Sequence, residues 1–126
     1  NETPDCLFIS IHQNSYPYPN NTGTQVFYSP NNPESQALAA SIQQSVIRLI
    51  QPQNTRKVKK SGTEIYLLYQ AKTPAVMVEC GFMSNAQETE KLRTEAYQNE
   101  LALSIFYGVL SYLNGIGTAG AAPATQ

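Results

Sequence analysis

The chain has 126 residues, enough for one domain with a core of its own. A formal net charge of -1 gives no general attraction to nucleic acid or to an anionic membrane surface. No apolar run approaches the roughly 18 residues of a membrane span, and two widely spaced cysteines, Cys6 and Cys80, are not a disulfide framework.

The opening, Asn1-Glu2-Thr3-Pro4, is polar, with no signal-peptide pattern and no initiator methionine. A strand follows almost at once, so the natural N-terminus is expected upstream. Residues 6–12 read as a buried strand, with Leu7-Phe8-Ile9-Ser10-Ile11 leading into His12. Residues 13–23 form a loop rich in Asn and Pro, with Tyr16-Pro17-Tyr18-Pro19-Asn20-Asn21 at its centre. Such a loop lines a site or simply exposes its tyrosines. Thr24 to Ser29 carries β-branched and aromatic residues and predicts a second strand.

Asn32-Pro33-Glu34 is a helix start: a capping residue, a proline for the first position and an acid for the positive helix end. Leu38, Ile42, Val46 and Leu49 then recur as a stripe that packs on a sheet, and Pro52 stops the helix. Residues 54–62 hold Arg56, Lys57, Lys59 and Lys60, read as a solvated loop or as a contact for anionic polymer. Glu64 to Gln70 predicts a third strand, and Ala75 to Glu79 a fourth. Gly81 permits a sharp turn. Ser84 or Asn85 caps a short helix through Arg93, with Gln87 or Glu88 completing a capping box. Thr94 caps the last helix, whose apolar face is Tyr97, Leu101, Ile105, Val109 and Leu113, with Phe106 and Leu110 alongside. Asn114-Gly115 is a helix stop. Residues 1–115 therefore read as the domain and 116–126 as a flexible tail or linker.

Two apolar runs organise this pattern. Leu7–Ile11 ends at His12, the only histidine, and Ala75-Val76-Met77-Val78 ends at Glu79. As strands of a mainly parallel sheet, both would place these residues at their C-terminal ends, the edge where open α/β sheets hold ligands. A lone histidine at a strand end is more often structural than a ligand. A carboxylate that ends an apolar run needs a partner, and a salt bridge or helix-cap contact answers that need as often as a function does.

Ser10-Ile11-His12-Gln13-Asn14 and Val78-Glu79-Cys80-Gly81-Phe82-Met83-Ser84-Asn85 resemble two signatures of the zinc-dependent N-acetylmuramoyl-L-alanine amidases. Thr22-Gly23-Thr24-Gln25-Val26-Phe27-Tyr28 and Ile65-Tyr66-Leu67-Leu68 fit between them. The resemblance covers about Asp5 to Asn114, and within the family the germination-specific amidases of the spore cortex look most similar. It implies an α/β fold of the phosphorylase/hydrolase type, with a mixed, mainly parallel sheet flanked by helices. It also implies an extracytoplasmic location, in the cell wall or spore cortex.

Zinc in a hydrolase usually takes three protein ligands. Cys6 and His12 on one strand would be roughly 20 Å apart, and Glu79 and Cys80 point to opposite faces. His12 and Glu79 are then the most the chain can bring together, and both cysteines read as buried thiols. The resemblance implies that a His and a Glu ligand come from the region before this segment. His12 matches the remaining His ligand, and Glu79 the catalytic carboxylate, which is not a ligand. Ser10 and Asn14 are candidates to orient His12 or to bind substrate. The chain is thus expected to be the C-terminal part of a catalytic domain whose N-terminal strands are missing, with zinc absent or weakly bound. It should self-associate or pair with the missing N-terminal half. The implied activity is hydrolysis of the amide between N-acetylmuramic acid and L-alanine in peptidoglycan. The competing reading is a non-catalytic module that binds cell-wall peptide or a protein partner.

Overall fold

The computed structural model describes residues 6–14, 22–82 and 85–117. Four strands, β1 (Phe8–Asn14), β2 (Gln25–Tyr28), β3 (Lys59–Lys60) and β4 (Ala75–Phe82), form one mixed sheet. In space their order is β1-β4-β2-β3, with β1 parallel to β4, β2 parallel to β3, and β2 antiparallel to β4. The described residues also form four helices: α1 (Glu34–Ile50), α2 (Tyr66–Gln70), α3 (Ala86–Leu92) and α4 (Glu95–Gly117).

The two faces of the sheet are covered unequally. One carries Ile9, Val26, Tyr28, Val76, Val78 and Cys80, and packs against Leu38, Ile42 and Val46 of α1 and Leu101, Ile105 and Tyr112 of α4. The three α1 side chains are completely buried, and each burial contributes about 1.5–3 kcal/mol. The other face carries Phe8, Phe27, Ala75 and Met77, which pack with Ile65 and Leu68 around α2. Helices α1 and α4 cross closely at Gly108. A Cβ there would lie 2.6 Å from the Cα of Ile42, and Ser41 Oγ donates to the Gly108 carbonyl at 2.6 Å.

The N-terminus of α1 forms as its sequence predicts, since the Asn32 side chain accepts from the Glu34 amide at 2.9 Å. Leu49, expected in the buried stripe, is 47% exposed: in the last turn it is Ile50 that packs on the core. Asn85 caps α3 by accepting from the amides of Gln87 and Glu88, and Thr94 Oγ1 accepts from the Tyr97 amide in α4. Of the apolar face predicted for α4, Leu101 and Ile105 are buried, whereas Phe106, Leu110 and Leu113 are exposed.

Several expectations are corrected. Residues 66–70 form α2 and not a strand. Ile65 and Leu68, three apart, are the pair that reaches the core, a helical spacing in a stretch that ends without β-branched residues. The third strand is instead Lys59–Lys60, inside the stretch read as a solvated loop, and both lysines stay exposed. Strand β1 is not buried on both faces: Ile11 is 59% exposed. Cys6 is only half-buried, while Cys80 is buried. Helix α4 continues through Asn114-Gly115 to Gly117. The loop tyrosines Tyr16 and Tyr18, the cap candidate Ser84 and the tail residues 118–126 lie outside the described residues.

Candidate active site

Register and pleat together build the site. Cα partners across β1 and β4 are Phe8–Ala75, Ser10–Met77 and His12–Glu79, and β2 adds Phe27 beside Met77 and Gln25 beside Glu79. Alternate residues of a strand share a face, so these are three successive rows on the α2 side of the sheet. The first two rows are mostly apolar and the third is polar: His12, Glu79, Gln25. The structure therefore brings His12 and Glu79 together at the C-terminal ends of two neighbouring parallel strands. Just beyond them the register slips, from His12–Glu79 to Asn14–Phe82. Such an irregularity bends a strand and re-aims the residues beside it.

Glu79 is half-buried, and its Oε2 is fully buried with no hydrogen-bond partner among the described residues. Burial raises its pKa above the ordinary carboxylate value, and the nearby charge of His12 opposes that rise. On the exposed side of the row, His12 Nε2 is 2.8 Å from Ser10 Oγ. Ser10 thus touches His12 as a residue orienting it would. The backbone of Asn14 pairs with Phe82; its side chain lies outside the described set.

Neighbouring contacts fix the frame. Gly81 has no left-handed backbone; it is needed for close approach, because a Cβ would meet Glu88 Oε1 at 2.8 Å and Leu92 Cδ1 at 3.1 Å. The Glu88 carboxylate, foreseen only as part of a capping box, accepts from the amides of Phe82 and Gly23. It ties the end of β4 to the turn before β2. Thr24 is anchored by Gln43, Gln51 and Asn54: its amide donates to Gln51 Oε1 at 2.9 Å, and its carbonyl accepts from Gln43 Nε2 and Asn54 Nδ2. Its hydroxyl donates to the Cys80 carbonyl at 2.9 Å. This buried network sets where β2 begins and so seats Gln25 beside Glu79. Nothing in the sequence singled it out, except that Gln43 interrupts the apolar side of α1.

Cys80 faces the opposite side of the sheet, where burial pushes its thiol up to about 11; it is no nucleophile at neutral pH. On that side a groove of about 530 Å³ opens between β1 and α4, lined by Ile11, Leu92, Leu101 and Ile105 and reaching His12 but not Glu79. Among the described residues no three His, Cys, Asp or Glu side chains converge as a metal site. His12 and Glu79, with its unpartnered oxygen, offer one side of such a site and not a full set of ligands.

Residues 1–111 match the family model described as N-acetylmuramoyl-L-alanine amidase. A germination-specific N-acetylmuramoyl-L-alanine amidase of Bacillus subtilis strain 168 is 36% identical over 111 residues, which are 88% of this chain and 46% of that protein. Among solved structures, the CwlD amidase of Clostridioides difficile, in complex with the GerS lipoprotein, superposes with a TM-score of 0.82 at 37% identity. The match covers 86% of this chain and 54% of that one. The amidase AmiC2 of Nostoc punctiforme gives a TM-score of 0.75 at 28% identity, over 86% of this chain and 58% of its own. The chain thus spans about half the length of these relatives. A match over nearly the whole chain, together with the shared fold, establishes that it belongs to the N-acetylmuramoyl-L-alanine amidase family.

Proposed function

We propose that this chain supplies the His12–Glu79 part of a peptidoglycan amidase centre, which hydrolyses the amide between N-acetylmuramic acid and L-alanine. The observation that carries the reading is the pairing of His12 with Glu79 in register on parallel strands, with a buried carboxylate oxygen left unpartnered. Glu79 is the general base: it takes a proton from the attacking water and passes it to the departing amine of L-alanine. Its raised pKa suits both halves of that transfer.

His12 is one ligand of the zinc on which the family depends. In the tautomer whose Nε2–H donates to Ser10 Oγ, the other ring nitrogen would be free to hold the metal, and Ser10 would fix the ring. Asn14 is a further candidate for binding substrate. When bound, zinc polarises the scissile carbonyl and lowers the pKa of water. The remaining ligands come from outside the described residues, which agrees with the half-length match to the relatives. The working location is outside the cytoplasm, in the cell wall or spore cortex, by analogy with the germination-specific relative.

A second reading, a module that binds cell-wall peptide or a protein partner without cleaving, is favoured by one observation: the described residues alone do not make a metal site. The CwlD relative is itself held in complex with a lipoprotein. Mass spectrometry of peptidoglycan digested by the intact enzyme separates the two. The amidase reading expects stem peptides with a free L-alanine amine. Unchanged peptidoglycan with zinc loaded would leave the binding reading.

A further inference from the structure

The polar row His12, Glu79, Gln25 does not end at β2. Gln25 Oε1 accepts from Arg56 Nη1 at 3.3 Å, while Gln25 Nε2 donates to the Lys57 carbonyl at 2.9 Å. Arg56 Nε donates to the Thr22 carbonyl at 2.7 Å, and the guanidinium lies 4.5 Å from the centre of the Phe82 ring. Its own amide donates to Asn54 Oδ1 at 2.7 Å. Contacts from three parts of the chain thus hold the guanidinium in one orientation. Among the described residues no carboxylate pairs with Arg56. A half-buried guanidinium, stacked, fixed through Nε and lacking a counter-charge, is preorganised for a planar anion.

The geometry points to Arg56 as a subsite for a peptide carboxylate, carried by the residue that follows the alanine at the scissile bond. This rests on the amidase reading of Glu79 and extends it to what the site selects. Gln25 lies one strand from Glu79, roughly 4.8 Å across the sheet, and Arg56 lies beyond it. An extended peptide advances roughly 3.4 Å per residue. A stem peptide that runs from Glu79 across β2 therefore brings a group on its second residue to the Arg56 side of the row, and that course is part of the proposal. Arg56 acts on binding and orientation of the peptide and takes no part in proton transfer.

The test compares two soluble substrates of the intact, zinc-loaded enzyme: N-acetylmuramoyl-L-alanyl-D-glutamate with a free α-carboxylate, and the same compound as the α-carboxamide. Wild type should show a kcat/KM for the acid about ten- to a hundredfold above that for the carboxamide, the scale of a charge-assisted bidentate contact. Arg56→Gln should bring that ratio close to one, and Arg56→Lys should retain part of it. A wild-type ratio near one overturns the proposal even if Arg56→Gln fails to fold; so does a ratio that survives Arg56→Gln. If neither compound is cleaved but calorimetric titration shows Arg56-dependent preference for the acid, the hydrolytic reading fails and the subsite stands. Cleavage of both without preference removes the subsite alone, and neither cleavage nor binding removes both.

Discussion

Glu79 faces His12 in register across β1 and β4, yet its Oε2 is buried without a hydrogen-bond partner among the described residues. Burial raises the folded-state pKa, against the opposing charge of His12. A carboxyl group whose pKa is higher in the folded state binds its proton more tightly there. Folded stability therefore falls as pH rises from the unfolded to the folded pKa. In metal-free protein Glu79→Gln removes the buried charge. It should raise Tm at neutral pH by a few degrees at most, since Glu79 is half-exposed and solvent screens its charge. The gain should shrink at a pH of about 4, below the ordinary carboxylate value, where Glu79 already holds its proton. Thermal unfolding at the two pH values checks this; a gain that is equal at both contradicts it.

Replacing His12 tests the other member of the pair. In the intact enzyme His12→Ala removes one protein ligand of the three that a hydrolytic zinc usually takes, and zinc affinity should fall by orders of magnitude. Ser10→Ala removes only the contact to Nε2 and should weaken zinc by about 10- to 100-fold, the usual effect of an outer-shell partner. Competition with a chromogenic chelator reads both. Full zinc content in His12→Ala would remove this residue from the site.

Gln43 is buried, accepting from the Val26 amide at 2.8 Å and donating to the Thr24 carbonyl at 3.0 Å. Gln43→Ala strands the buried Val26 amide of β2, while the Thr24 carbonyl keeps its bond from Asn54 Nδ2, so a loss of about 1–3 kcal/mol is expected. Urea unfolding measures it. Because the network seats Gln25 beside Glu79, activity of the intact enzyme should fall as well.

Strand β1 is an edge of the sheet among the described residues, and its Ile11 is exposed. Helix α4 exposes Leu103, Phe106, Tyr107 and Leu110. Open strand edges and apolar faces recruit other chains. The 126-residue chain by itself should therefore self-associate and hold zinc weakly. Light scattering with metal analysis tests both; a stable monomer with one tightly held zinc would mean that the ligands come from residues assigned here to structure.

The parts that were legible in the sequence are those fixed by local chemistry. The apolar runs before His12 and Glu79 became the two parallel strands, and Asn32-Pro33-Glu34 started α1. What was not legible depends on where neighbours fall. Residues 66–70 are too short a stretch for a clear period, and their helix is completed by the packing of Leu68 against Ala75 and Met77. The reason for Gly81 is the approach of Glu88 and Leu92, which no turn pattern encodes. Arg56 reads as one cation in a basic run until the register of β2 on β4 places Gln25 beside Glu79, with Arg56 bonded to the far side of Gln25. The metal centre was only partly legible because, on this reading, the described residues hold one of its ligands, His12, and no converging set of three.

The central claim, that Glu79 moves the proton and does not hold the metal, is tested most directly by Glu79→Gln in the intact enzyme. Zinc content and release of L-alanyl peptides from peptidoglycan are measured on the same preparation. Zinc should stay fully loaded while hydrolysis falls by about 10²- to 10⁴-fold, the contribution of a general base. Zinc lost in step with activity would contradict it and make Glu79 a ligand.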